Sequence, residues 1–188
     1  MTVKTLIIRA PGTNCHEETA FAFQQAGSEV VLVHVNRLIS HEKHLKDYQI
    51  MVIPGGFTYG DDIAAGKVLA NELRLKLGEE ILRFIEEGGL ILGICNGFQV
   101  LVKAGFLPDP TKGSASSVTL TNNDSGKFEC RWIHLEVNRN SPCVFTQGVD
   151  RMYLPVAHGE GKLVALPGLL AEGSITLRYI DEDGNNRA

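Results

Sequence analysis

The sequence predicts an α/β domain on a doubly wound, mostly parallel sheet, with antiparallel additions in its C-terminal half. Three observations predict it. Short runs at Thr5–Ala10, Glu29–Val35, Gln49–Ile53 and Leu90–Ile94 are largely apolar without strict alternation, as strands buried on both faces are. Stretches with helical spacing separate them, which is the alternation of parallel sheets. After Pro108 the alternation stops, and short strand-like runs follow one another.

The elements follow in order. Thr5–Ala10 runs into Pro11-Gly12-Thr13-Asn14, a turn composition. Glu17–Ala26 carries Ala20, Phe21, Phe23 and Ala26 on its apolar side, with Gly27 as its C-terminal cap. Strand Glu29–Val35 leads into a polar connection holding His41 and His44, both expected in solvent. Gln49–Ile53 ends at Pro54-Gly55-Gly56. Asp61–Glu87 is mostly helical, in two pieces broken near Gly66 or Gly78, with Asp61 and Asp62 suited to capping its start. Gly88-Gly89 ends it, Leu90–Ile94 is the fourth strand, and Asn96–Ala104 is a short helix closed by Gly105. Val118–Thr121, Phe128–Val137, Tyr153–Ala157, Lys162–Leu166 and Ile175–Ile180 read as strands added to the same sheet. The expected organisation is a single domain over residues 1–188. Asp181–Ala188 reads as a turn without the strand or docking helix on which such a domain finishes, so the domain is expected to be incomplete at its C-terminus.

Composition narrows the function classes. With 44% hydrophobic and 21% charged residues, the 188 residues can bury one sizeable core. The net charge of −4 and the lack of a basic run argue against a nucleic-acid partner. No apolar stretch is long enough to span a membrane, and the N-terminus lacks a signal-peptide layout. Cys15, Cys95, Cys130 and Cys143 are scattered without a CxxC pair, so a reducing cytoplasm is expected.

Chemistry concentrates at Gly93-Ile94-Cys95-Asn96-Gly97. This is the glycine–x–nucleophile–x–glycine form of a nucleophile elbow, here between a predicted strand and a predicted helix. The turn is tight, so side chains two residues either side of the nucleophile would collide. The helix start favours thiolate at Cys95 and should lower its pKa. The N–H of Asn96 is placed for a developing oxyanion. Pro54-Gly55-Gly56-Phe57 ends the neighbouring strand and can turn further N–H groups to the same place.

These residues resemble the class I (triad-type) glutamine amidotransferases. The resemblance sharpens with Gly55-Gly56-Phe57-Thr58-Tyr59-Gly60-Asp61, Pro11-Gly12-Thr13-Asn14-Cys15, Phe128-Glu129-Cys130-Arg131-Trp132 and Pro155-Val156-Ala157-His158-Gly159-Glu160-Gly161. The whole set is similar to amidotransferases that serve de novo purine biosynthesis. It implies a flavodoxin-like fold and glutamine hydrolysis through a thioester on Cys95. Ammonia then passes to a synthetase partner that makes formylglycinamidine ribonucleotide, with a small accessory subunit in the same complex. Carried over by position, Cys95 is the nucleophile, Gly56, Phe57 and Asn96 build the oxyanion hole, and Gln99 and Gly55 hold glutamine. The resemblance implies no cofactor and no metal in this chain; ATP and magnesium belong to the partner.

The general base is the departure. The family places its histidine and glutamate in a His-Pro-Glu motif near the C-terminus, and residues 1–188 contain none. Among the six histidines, His158 in His158-Gly159-Glu160 is the notable one. The resemblance makes His158 and Glu160 pocket or interface residues rather than the base. Cys15 and Arg131 are candidates of the same kind, Trp132 a pocket wall or partner contact, and Cys130 and Cys143 structural. Two other readings stay open at this point. One is a DJ-1/PfpI-like cysteine hydrolase, against which Gln99 and the Gly55–Asp61 loop argue. The other is a catalytically incomplete binding module for the synthetase.

Overall fold

The computed structural model describes residues 2–109, 118–170 and 172–185. They fall into two compact units, Met1–Thr119 and Leu120–Ala188.

The first unit alternates strand and helix: β1 (Lys4–Arg9), α1 (His16–Gln25), β2 (Glu29–His34), α2 (Val35–Ile39), β3 (Ile50–Ile53), α3 (Lys67–Glu86), β4 (Leu90–Gly93) and α4 (Asn96–Ala104). The strands form one sheet in the order β2-β1-β3-β4, parallel throughout. This is the flavodoxin-like order, whose switch point lies between β1 and β3.

Both faces of the central strands β1 and β3 are covered, which explains their apolar runs. Leu6 and Ile8 of β1 and Met51 and Ile53 of β3 enter one core cluster, with residues of α2, α3 and α4. Ile7 and Val52 point the other way and pack with Ala20 and Phe23 of α1. α3 buries Leu69, Leu73, Leu77 and Ile81, a residue every helical turn on one stripe. Each such side chain contributes roughly 1.5–3 kcal/mol by leaving water.

Several boundaries differ from the expectation. Phe21 is 62% exposed, so the buried side of α1 is Ala20 and Phe23. The connection after β2 contains the short helix α2, whose N-terminus His34 caps through Nδ1. Asp61–Glu87 is not one helical stretch. Tyr59 and Asp61 (both φ 54°) and Gly60 (φ 69°) form an irregular turn, and α3 starts only after Gly66, at φ 71°. Of the two expected break points Gly66 is the one used; Gly78 lies inside α3. α4 has the expected bounds, and Gly105 closes it at φ 82°.

The C-terminal strands are β5 (Val118–Thr121), β6 (Glu129–Val137), β7 (Arg151–His158), β8 (Lys162–Ala165) and β9 (Leu177–Ile180). Instead of extending the parallel sheet, they pair among themselves among the described residues. β6 is the centre of an antiparallel sheet β7-β6-β9, and β5 pairs with β8. β6 pairs with β7 from Glu129 to Glu136 and with β9 from His134 to Val137, both antiparallel, which needs no long crossover. Asp181–Asn185 forms the expected turn, with Asp181 accepting from the Asn185 N–H at 2.8 Å; residues 186–188 of that reading lie outside the described residues. No helix among the described residues is long and apolar enough to cross a membrane.

Candidate functional site

The elbow is built as its glycines require. Cys95 has φ 52° and ψ −109°, a region that costs a side-chain-bearing residue about 1–3 kcal/mol. A Cβ on Gly97 would lie 1.9 Å from the Ile53 carbonyl oxygen, and one on Gly93 2.7 Å from the Gly97 carbonyl oxygen. Bare backbone at both positions lets α4 start directly against the end of β3. Cys95 occupies the N-cap position of α4, and its carbonyl accepts from Phe98 at 3.0 Å and Gln99 at 3.2 Å.

The electrostatics correct one expectation. Burial raises the Cys95 thiol above its ordinary value, the Asn96 N–H pulls it down, and Cys15 and Asp61 push it up further. Solvent reaches the residue, yet packing around the sulfur outweighs the helix start. The Cys95 thiol is therefore harder to ionise than an ordinary one.

Asn96 does more than supply its backbone. It is 1% exposed, and its side chain uses its whole hydrogen-bonding capacity. Its Oδ1 accepts from Thr58 N–H at 3.2 Å and Thr58 Oγ1 at 2.7 Å. Its Nδ2 donates to Asp61 Oδ1 and Gln99 Oε1, each at 3.1 Å. Asp61 Oδ1 also accepts from the Gly66 N–H at 2.9 Å. Lys103, 7% exposed, donates from Nζ to the Ala65 carbonyl at 2.8 Å. The irregular segment after β3 is thus clamped onto α4. Asp61 serves this clamp rather than capping a helix at its own position. Gln99, 8% exposed, turns its amide oxygen into the same network.

The loops after β1 and β3 meet at the switch point. Thr13 and Gly56 form an antiparallel bridge. Asn14 and Cys15 N–H groups donate to the Gly55 carbonyl at 3.2 and 3.3 Å, and Phe57 N–H donates to the Gly12 carbonyl at 3.0 Å. A Cβ on Gly12 would lie 2.0 Å from the Phe57 carbonyl oxygen, and one on Gly56 (φ 135°) 2.6 Å from the Asn14 nitrogen. The structure therefore brings together Cys15, Gly55, Gly56, Phe57, Cys95, Asn96 and Gln99.

His158, Glu160 and Arg131 belong to the second unit. His158 Nδ1 lies 2.9 Å from Asn123 Oδ1, which also accepts from the Gly161 N–H at 3.0 Å. Asn123 Nδ2 donates to the carbonyls of Lys127 and His158. That pattern fixes the Asn123 oxygen as the acceptor, so His158 donates to it through Nδ1. The ring lies against Gly161, where a Cβ would come within 2.1 Å of it. Glu160 is half-buried. Arg131 is exposed and pairs with Glu129 at 3.2 Å.

Comparison with known proteins decides the family. The CobB/CobQ-like glutamine amidotransferase domain matches residues 2–188. Phosphoribosylformylglycinamidine synthase subunit PurQ of Dehalococcoides mccartyi is 59% identical over 186 residues, covering 99% of this chain and 72% of that protein. The chain belongs to the PurQ family of glutamine amidotransferases. The PurQ subunit of Methanococcus maripaludis is 41% identical over 97% of this chain and 68% of its own length. Among solved structures, that of PurLQS from Thermotoga maritima is similar over 97% of this chain and 76% of that chain, at 33% identity and TM-score 0.76. A second Thermotoga maritima amidotransferase, 18% identical with TM-score 0.58, shares the fold. Glutamine amidotransfer in purine biosynthesis is the activity of this family.

Within that family setting, sequence reasoning missed the side-chain role of Asn96 and the buried Lys103. His16, whose place after the Pro11–Cys15 loop suggests a helix-start surface role or an approach to the sheet's active edge, opens α1 with its Nδ1 buried and without a hydrogen-bond partner. Cys130, expected to be structural, is exposed. Trp132 stacks on Tyr153 at 5.0 Å across the β6–β7 pair. Away from the elbow, His41, His44 and Glu80 bring one ligand atom each within 4.8 Å of one another. They line a cavity of about 820 Å³ whose charged groups are mixed, Lys46, Arg74, Lys76 and Arg83 with Glu79 and Glu87.

Proposed function

We propose that Cys95 attacks the side-chain amide of glutamine, forms a γ-glutamyl thioester and releases ammonia, and that water then frees glutamate. The observation that carries this reading is the backbone of Cys95, held at φ 52° between two glycines at which any Cβ would run into backbone carbonyls. An amide is a poor electrophile, so the chemistry needs a thiolate and stabilisation of the tetrahedral oxyanion. The N–H groups of Asn96 and Gly56 are the proposed oxyanion donors. Phe57, grouped with them by resemblance, gives its N–H to Gly12 and is proposed to hold Gly56 in place instead. Gln99 is proposed to position Asn96, with Gly55 keeping the floor beneath the thiol open to glutamine. His158, Glu160 and Arg131 are read as pocket or partner-facing groups of the second unit.

The ammonia is proposed to pass to a synthetase subunit that makes formylglycinamidine ribonucleotide in the cytoplasm. ATP and magnesium are assigned to that partner, and a small accessory subunit completes the complex. The similarity to a chain of PurLQS supports the reading of a complex with partner subunits. The test is mass spectrometry of the chain after incubation with 6-diazo-5-oxonorleucine, alone and with the synthetase subunit. One adduct on the Cys95 peptide, absent from Cys95→Ala, is expected. An adduct on any other cysteine would overturn the assignment.

A further inference from the structure

Two thiols stand at one sheet edge, and the reaction proposed above uses one. We propose that Cys15 and Cys95 form a reversible disulfide that withdraws the nucleophile when the thiol pool becomes oxidised.

The turns carrying them leave the C-terminal ends of β1 and β4, the strands flanking β3. The end of β3 presents Gly55 between them. A Cβ on Gly55 would lie 3.5 Å from Cys95 Cβ and 3.7 Å from Cys15 Sγ. The two side chains thus share the bare face of one glycine. Both backbones are tied to the same strand end, Cys15 N–H to the Gly55 carbonyl at 3.3 Å and Ile94 N–H to the Ile53 carbonyl at 3.0 Å. Both residues are solvent-accessible and reduced in this structure. A bridge needs the Cβ atoms about 3.5–4.5 Å apart, and closure over a residue without a side chain is the movement that offers it.

The oxidant is a low-molecular-weight disulfide. One cysteine thiolate attacks it, forms a mixed disulfide and expels the first small thiolate. The other cysteine thiolate attacks the protein sulfur of that mixed disulfide, closes the Cys15–Cys95 bond and expels the second. Two protein thiols are oxidised, one small disulfide is reduced to two thiols, and the two protons lost by the cysteines end on those thiols. Bond formation rests on the geometry alone. The loss of activity rests on the reading of Cys95 as the nucleophile.

The experiment equilibrates the full chain in buffers of reduced and oxidised glutathione, quenches with an alkylating agent, and maps cysteine peptides by mass. Labelling by 6-diazo-5-oxonorleucine is read in parallel, each variant against its own fully reduced state. A linked Cys15–Cys95 peptide is expected, with labelling lost in proportion to the linked fraction and restored by reductant. Cys15→Ser is expected to carry glutathione on Cys95 and no internal link. Finding Cys95 in the unmutated chain only as its glutathione adduct, or bridged to Cys130 or Cys143, would overturn the proposal. A linked peptide in a chain that never labels when reduced would support the bridge and defeat the catalytic reading, so the two failures are distinguishable.

Discussion

At the residue scale, the elbow sets two demands on Cys95 that pull apart. The strained turn brings Cys95 to solvent, and the same turn packs the thiol where burial raises its pKa. At neutral pH a thiol above its ordinary value of about 8.5 is mostly protonated, and only the thiolate reacts. Alkylation of Cys95 by iodoacetamide should therefore accelerate with pH and inflect above the ordinary thiol value in the isolated chain. Cys15→Ser removes one of the charges that raises the thiol and should move the inflection down. Rates of Cys95 modification measured by peptide mass across pH check both, and an inflection below 8 would refute the first. The elbow turn and its glycines were legible in the sequence because sterics dictate glycine there. The direction of the pKa shift was not, because desolvation depends on what packs around the sulfur.

At the element scale, the segment from Gly55 to Gly66 holds no regular helix or strand of useful length, yet it positions the site. It is held by side chains, above all by Asn96 and Asp61. Removing the Asp61 carboxylate leaves an Asn96 Nδ2 proton and the Gly66 N–H without their acceptor. Such orphaned donors cost about 1–3 kcal/mol. Asp61→Ala should lower stability by that amount in urea unfolding and reduce thioester formation, since the loop carrying Gly56 loosens. Gly97→Ala should act through packing. The added methyl meets the Ile53 carbonyl, which is fixed in the sheet, so α4 must move and Cys95 moves with it. A loss of about 1–3 kcal/mol is expected, with activity falling further than stability, as chemical unfolding and glutaminase assays of the same preparation would show. The period of α4 and its closing Gly105 could be read directly. The segment before α3 could not, because its apparent helical spacing competes with positive-φ turns that only the tertiary clamp selects. α2 escaped for a related reason, since five residues are too few for periodicity to register.

At the scale of the whole molecule, the parallel sheet was legible because burial on both faces keeps the middles of the central strands β1 and β3 almost wholly apolar. The separation of the later strands into their own sheets was not, because alternation reports which face is buried and says nothing of which edge is paired. The family motifs span both units, with the elbow in the first and the His158-Gly159-Glu160 loop in the second. A nucleophile that rests as a thiol turns over slowly until its surroundings supply a proton acceptor and hold the oxyanion donors still. The strained residues Tyr59 and Asp61, both at φ 54°, lie on the segment that carries one proposed donor. Its geometry is therefore sensitive to whatever binds against it. The chain alone should hydrolyse glutamine weakly, and addition of the synthetase subunit should raise the rate mainly through kcat. Removing a stabilising hydrogen bond to an oxyanion typically costs about 10²–10³ in rate, so ordering one such donor is sufficient to produce a large activation. Steady-state ammonia release with and without the partner measures it. Equal kcat in both conditions would mean that the elbow is already organised in the free chain, and that the partner only receives what it makes.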